Sequence, residues 1–251
     1  MFADDMILPS IYNRIGMADY SANLTPKLIN FAQQNEWAGR RIVDLGCGTG
    51  GVTQWLTSFG YNVTSIDYNP AMLQQLKSAL DKKGHTATLL QADVRQLPPL
   101  TMVDMVISLG LFNELDNLRD LETALKQVSG ILTKRRFFIF DMYTIEGLTQ
   151  RGMTPFERLY DGDDLTVYIY RQYDYDRQNI TLEYDILMRK NDSTWERAKT
   201  KRILRAYPLP ALITLVKRSE FDVVALLDPQ LVPIDGANPK TSRAVFILKK
   251  Q

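Results

Sequence analysis

The sequence predicts an α/β protein: a doubly wound, mostly parallel seven-stranded sheet with a three-stranded antiparallel β insertion. Three observations predict it. Short apolar runs alternate with helical-period segments from Arg41 to Met142. The first run enters a glycine-rich turn, Gly46-Cys47-Gly48-Thr49-Gly50-Gly51, that opens a helix. From residue 164 the period becomes two over three long segments, and the α/β rhythm resumes after Pro208.

The elements follow in order. Residues 1–39 read as helix and loop, with Leu28, Ile29 and Phe31 on a helix starting near Thr25-Pro26, where proline suits the first turn. Arg41 to Leu45 is a buried strand, and Val52 to Phe59 is a helix closed by Gly60. Tyr61 to Asp67 is a second strand. Asn69-Pro70 then caps a helix through Lys83, with Leu73, Leu76 and Leu80 at helical spacing. Thr86 to Ala92 and Val103 to Leu109 are the third and fourth strands, and Asn117 to Leu132 is an amphipathic helix. Phe137 to Met142 is apolar almost throughout, as a strand buried on both faces must be. Leu165 to Asp176, Ile180 to Lys190 and Trp195 to Tyr207 form a meander, joined by Asp176-Arg177-Gln178-Asn179 and Asn191-Asp192-Ser193. In its middle strand Ile180, Leu182, Tyr184, Ile186 and Met188 share one face, and Thr181, Glu183 and Asp185 the other. Ala211 to Ser219 is a helix. Phe221 to Leu227 and Ala244 to Leu248 are strands joined by a long loop, which lets them pair antiparallel.

Composition bounds the function. The chain has 251 residues, 45% hydrophobic and 24% charged, enough for one large domain or a domain with a sizeable insertion. The net charge of +1 gives no global field for nucleic acid or anionic membrane. The only cysteine is Cys47, so no internal disulfide is expected and a reducing compartment fits. The segment from Met1 to Gly16 holds Asp4 and Asp5 and no long apolar run, so no secretory leader is expected. No apolar stretch approaches the roughly 18–20 residues of a membrane helix. A cytoplasmic protein is expected.

The glycine turn admits two ligands. Gly46, Gly48 and Gly51 satisfy the dinucleotide pattern GxGxxG, a weak match by itself. Asp67, ending the second strand, suits a ribose hydroxyl in a dinucleotide or an adenosyl cofactor. Asp44 lies inside the first strand, where a dinucleotide gives a carboxylate no evident use and an α-ammonium group does. Asp93 closes the third strand, where it can receive an adenine amine.

Val43-Asp44-Leu45-Gly46-Cys47-Gly48-Thr49-Gly50 resembles the first motif of the class I S-adenosylmethionine (SAM)-dependent methyltransferases, a Rossmann-like family. Ile66-Asp67-Tyr68-Asn69-Pro70-Ala71-Met72-Leu73 resembles the second and Gln91-Ala92-Asp93-Val94 the third. The resemblance covers about residues 40–142 and implies SAM as cofactor, with S-adenosylhomocysteine (SAH) as product. It implies that Gly46, Cys47, Gly48 and Gly50 wrap the methionine part and that Asp44 meets its ammonium. Asp67 would accept from the ribose, Tyr68 and Met72 would pack on the adenine, and Asp93 and the Val94 N–H would meet its edge. Ser108 and Leu109 would approach the sulfonium. Residues 1–39 would form a helical lid that brings Tyr12 and Tyr20 to the methionine carboxylate. Residues 40–142 and 208–251 would form the cofactor-binding core, and 143–207 an insertion serving as substrate cap or dimer contact. One departure is Leu132-Thr133-Lys134-Arg135-Arg136, where many relatives carry Pro-Gly-Gly.

Methyl transfer is a displacement that needs positioning more than a base. Asn113 can orient an acceptor, Glu114 can serve as a weak base and Tyr143 can line the pocket; helix capping is the alternative for the first two. Leu109-Gly110-Leu111-Phe112-Asn113-Glu114 lacks the Asn/Asp-Pro-Pro-aromatic signature of enzymes that methylate adenine or glutamine amides. Asp141 is equally suited to holding loop N–H groups, and His85 reads as a turn residue. Arg197, Lys199, Lys201 and Arg205 make a basic face, explained by cross-strand pairing with Glu183 and Asp185 or by an anionic acceptor. Arg171, Tyr173 and Tyr175 are further pocket candidates. The expected activity is methyl transfer to an N or O atom of a small molecule, by a monomer or homodimer, with no metal, no membrane and no nucleic-acid partner. A non-catalytic SAM-binding module, a tRNA or protein methyltransferase and an NAD(P)-dependent oxidoreductase are the alternatives.

Overall fold

The computed structural model describes residues 4–191, 194–237 and 239–251, with side chains from Ile7 onward. The elements in chain order are α1 (Asp4–Ile11), α2 (Asp19–Gln34), β1 (Arg41–Leu45), α3 (Gly51–Ser58), β2 (Asn62–Asp67), α4 (Pro70–Lys83), β3 (Thr88–Gln91), β4 (Val103–Ser108), α5 (Leu118–Ile131), β5 (Leu132–Tyr143) and α6 (Ile145–Gly152). There follow β6 (Phe156–Asp161), β7 (Leu165–Asp174), β8 (Asn179–Asn191), β9 (Thr194–Arg205), α7 (Leu209–Arg218), β10 (Phe221–Leu227) and β11 (Arg243–Lys250).

Seven strands form one sheet in the order β10-β11-β5-β4-β1-β2-β3. β1 to β5 run parallel, and β11 lies antiparallel between β5 and β10. The chain winds outward from β1 to β3 and then restarts at β4 on the other side of β1. That reversal opens a crevice beyond the carboxyl ends of β1 and β4, where α/β sheets bind ligands. Every residue of β4 is buried. Alternation along β5 feeds two cores. Phe138 and Phe140 face α5 and α7, packing with Leu121, Leu125 and Leu212, while Phe137 and Ile139 face α2 and α3, packing with Leu28 and Leu56. Phe140 stacks on Phe246 at 4.6 Å and on Phe112 at 4.6 Å, which joins the loop after β4 to the sheet.

The remaining strands form a separate antiparallel sheet, β6-β7-β8-β9. Its apolar face, with Val167, Ile169, Ile180, Leu182 and Ile186, packs on Leu8 and Ile11 of α1 and Leu148 of α6. The insertion therefore has four strands where three were expected. β6 is an edge strand that is mostly exposed, so it carries no apolar alternation to read. The helix α6 was also not anticipated; it is short and contains two glycines, and Thr144 caps it by accepting from the Gly147 N–H at 3.0 Å. A third correction concerns α2. It begins at Asp19, not near Thr25, and Pro26 lies inside it, because Leu24, Thr25, Leu28 and Ile29 form one buried face that spans the proline. Of the expected turn after β8, Asp192 and Ser193 lie outside the described residues. No helix among the described residues is long and apolar enough to cross a membrane.

Two glycines predict opposite stability changes. A Cβ on Gly147 would sit 1.9 Å from the Ser242 carbonyl oxygen, whereas one on Gly130 of α5 would meet nothing within 4 Å. Gly147→Ala is expected to lower the unfolding free energy by about 1–3 kcal/mol. Gly130→Ala is expected to raise it by about 0.5–1 kcal/mol through helix propensity. Urea denaturation of the two variants checks both signs.

Candidate active site

The turn after β1 is held from β2. The Gly46 and Cys47 N–H groups both donate to the Ile66 carbonyl, at 2.8 and 3.0 Å. The Gly48 N–H donates to Asp67 Oδ2 at 2.8 Å, and the Asn69 N–H to Asp67 Oδ1 at 2.9 Å. Gly50 has φ +89°, a left-handed conformation costly for other residues, and a Cβ there would collide with Leu76. Gly48 has φ +52°, and a Cβ there would meet nothing within 4 Å, so this backbone faces open space in the crevice.

Two cavities lie along the crevice, and both are lined by Gly46. One is a cavity of about 190 Å³ lined by Gly46, Asp67, Tyr68, Asp93, Val94 and Glu114, among others. Burial raises the Asp67 carboxyl above its usual range despite its two backbone donors. Asp93 is half exposed and held by Arg95 at 2.6 Å, a hydrogen-bonded pairing that keeps its carboxyl below the usual range. Met72 and Tyr12 line a smaller cavity of about 120 Å³ that shares Gly46 with both the first and the second. The second cavity, of about 270 Å³, lies between the glycine turn and the second sheet. Tyr12, Tyr20, Cys47, Gly48, Leu109, Asn113 and Tyr143 line it, as do Arg151, Arg171, Arg202 and Arg243.

Several side chains expected in the crevice are committed elsewhere. Asp44 is buried beneath the turn and lines neither cavity; its Oδ2 accepts from the Thr53 N–H at 3.0 Å and the Thr53 hydroxyl at 2.6 Å, which fixes the start of α3. Burial pushes its pKa up to about 7 against those two donors. Ser108 is also buried and donates to the Leu45 carbonyl at 2.8 Å, clipping β4 to β1. Cys47 packs with Leu73, Leu76 and Leu80, and burial pushes its thiol up, which leaves it unfit as a nucleophile.

Asn113 is spent on backbone: it donates to the Tyr143 and Arg205 carbonyls at 3.1 and 2.7 Å and accepts from the Tyr143 N–H at 2.7 Å. It holds the strand end and is not free to orient a ligand. Glu114 forms an ion pair with partly buried Arg202, which removes it as a free base. Asp141 accepts from the Gly110 N–H at 2.7 Å and pairs with Arg243. Tyr173 and Tyr175 stack edge to face at 4.8 Å and line neither cavity. In the basic face, cross-strand pairing accounts for Arg197, with Asp185, and for Lys199, with Glu183 at 3.0 Å, while Arg205 pairs with Asp116 of the loop after β4 at 3.2 Å.

The arginines were missed, apart from Arg171. The Arg243 guanidinium sits between two rings, 4.0 Å from Tyr20 and 3.8 Å from Tyr143. Arg151 donates to the Tyr143 hydroxyl at 2.8 Å. Burial raises the Tyr143 phenol, but the two arginines outweigh it and hold the phenol below its ordinary value. No sequence motif flags these residues, which come from α6, β9 and β11.

Residues 42–135 match the family model described as a methyltransferase domain. The chain has the Rossmann-like fold of the class I methyltransferases. A SAM-dependent methyltransferase from Clostridium acetobutylicum superposes with a TM-score of 0.77, at 21% identity, covering 92% of this chain and 91% of that one. SAM-bound CalS10, an amino pentose methyltransferase from Micromonospora echinaspora, gives 0.72 at 14% identity, covering 96% and 97%. In sequence, the ubiquinone biosynthesis O-methyltransferase of Rickettsia conorii is 29% identical over 105 residues, 40% of this chain and 36% of that protein. The chain spans less than half the length of the first curated relatives it matches. The structural likeness covers more of the chain than these sequence matches do.

Asp44 makes this domain's stability fall with rising pH. Its carboxyl titrates near 4 in the unfolded chain and at about 7 when folded. Between those values the unfolded chain releases a proton that the folded protein keeps, so stability drops as pH rises through that window and is fully present only below it. Asp44→Asn is expected to flatten this slope, read as denaturation midpoints from pH 4 to pH 8.

Proposed function

We propose that this protein is a SAM-dependent methyltransferase that transfers a methyl group to an N or O atom of a small molecule. The observation that carries it is the crevice itself. A glycine turn with open space over Gly48 lies between acceptors at the ends of β2 and β3 and a second sheet that covers the far end. The two ends suit the two halves of an adenosyl amino acid. Asp67 keeps lone pairs beyond its two backbone donors and would accept from the ribose hydroxyls. Tyr68, Met72 and Val94 would flank the adenine, and Asp93 would turn from Arg95 to its amine. Gly46 and Gly48 would lie along the methionine chain, with Tyr12 and Tyr20 covering it from the N-terminal helices. Asp44 would act from beneath, by fixing the turn and α3.

The cofactor supplies a methyl carbon activated by a sulfonium leaving group. The protein's own work is positioning and exclusion of water. Leu109 and Tyr143, at the ends of β4 and β5, line the cavity where an acceptor would stand, and the second sheet closes it with Leu159, Ile169, Leu182 and Leu204. Among the described residues, no carboxylate or histidine lines that cavity. A neutral amine or an ionised oxygen is an acceptor that needs no base there.

Calorimetry tests the cofactor half. Wild type is expected to bind SAM, and Asp67→Ala and Gly48→Val to weaken it by ~100-fold or more, since one loses a charged acceptor and the other fills the crevice. Binding of NADH with indifference to SAM refutes the proposal. Labelled SAM offered with amines, phenols and carboxylates then separates turnover from binding alone.

A further inference from the structure

The charges around the larger cavity point to what it accepts. Among the described residues, its charged lining is Arg151, Arg171, Arg202 and Arg243, all cations. Arg202 and Arg243 are compensated by Glu114 and Asp141. The other two are less fully used. Arg171, its side chain only 9% exposed, pairs with Glu157 at 2.5 Å and donates to the Thr154 carbonyl at 3.1 Å, yet its Nε is buried without a partner. Arg151 has no carboxylate within 4.0 Å among the described residues. Its Nη1 donates to the Tyr143 hydroxyl, and its Nε is likewise buried without a partner. Arg151 is partly buried, and a cation that loses water without gaining a counter-charge is costly. Next to these arginines the cavity wall is apolar, formed by Leu159, Ile169, Leu182 and Leu204.

We propose that Arg151 and Arg171 form a subsite for one carboxylate of the methyl acceptor, which is a small organic anion with an apolar body. The assignment rests on the methyl-transfer function proposed above and names its substrate class. One carboxylate matches the single uncompensated positive charge at the cavity wall, and its two oxygens suit guanidinium donors. The cofactor itself is net positive and leaves that charge unbalanced. Arg151 and Arg171 stand on α6 and β7, on the insertion side, and not on the glycine turn that would hold the cofactor.

Calorimetry on SAH-saturated protein tests this with three probes of one shape: phenylacetate, neutral phenylacetamide and cationic phenethylamine. Phenylacetate is expected to bind at least ~10-fold tighter than the other two. Arg151→Gln and Arg171→Gln are expected to erase that preference while binding SAH as wild type does, and Arg151→Lys, which keeps the charge, to retain part of it. Equal binding of phenylacetate and phenylacetamide by wild type overturns the subsite. So does an unchanged preference in both glutamine variants. Loss of SAH binding in folded variants, checked by circular dichroism, also overturns it, since the arginines would then serve the cofactor. Failure of wild type to bind SAH at all, with the phenylacetate preference intact, refutes the cofactor assignment and leaves the anion subsite standing.

Discussion

The hydrogen bonds from the glycine turn to β2 are the constraint on which the site depends. Ile66 accepts from two N–H groups of the turn and Asp67 from a third, while the other Asp67 oxygen fixes the Asn69 N–H at the start of α4. One carboxylate thereby sets the shape of the turn, the direction of α4 and the rim of the crevice. Asp44 does the same from below for α3, through Thr53. Buried polar groups are affordable only when satisfied, so these bonds leave the backbone little freedom to adopt another path. The open space over Gly48 is a consequence of that fixed path.

A second set of interactions places the antiparallel sheet over the carboxyl ends of the parallel one. Arg202 of β9 pairs with Glu114 of the loop after β4, and Arg205 pairs with Asp116 of the same loop. Asn113 bonds the backbone of both β5 and β9. Arg14 reaches Asp164 at 2.5 Å, which ties the N-terminal segment to the β6–β7 turn. The exposed pairs contribute little, but a buried one is different: removing one partner of Arg243–Asp141 would leave the other charged and dry, a penalty of about 3–5 kcal/mol. Arg243–Asp141 and Arg202–Glu114 are the pairs of this kind at the cavity wall.

The core sheet was legible because its signals are local. β4 and β5 are too apolar for a surface, Gly50 cannot be another residue without strain, and Asn69-Pro70 caps α4 through its own side chain at 2.9 Å from Ala71 N. The insertion was less legible. β6 buries little and α6 is glycine-rich, so neither carries the periodicity by which strands and helices announce themselves. Side-chain roles were the hardest to read. Asp44, Asn113 and Glu114 have the chemistry of ligand-binding groups, and in each case a neighbour distant in sequence or a nearby N–H takes the oxygens first.

The sequence by itself determined the order of strands and helices in the parallel core, the glycine turn and the carboxylates at the ends of β2 and β3, because periodicity, capping and backbone strain act within a few residues. Only the tertiary structure decided which carboxylates face the crevice and which are buried beneath it. It also decided that arginines from positions 151, 171, 202 and 243 converge on one cavity. Such a meeting depends on how two sheets pack, and no spacing along the chain encodes it.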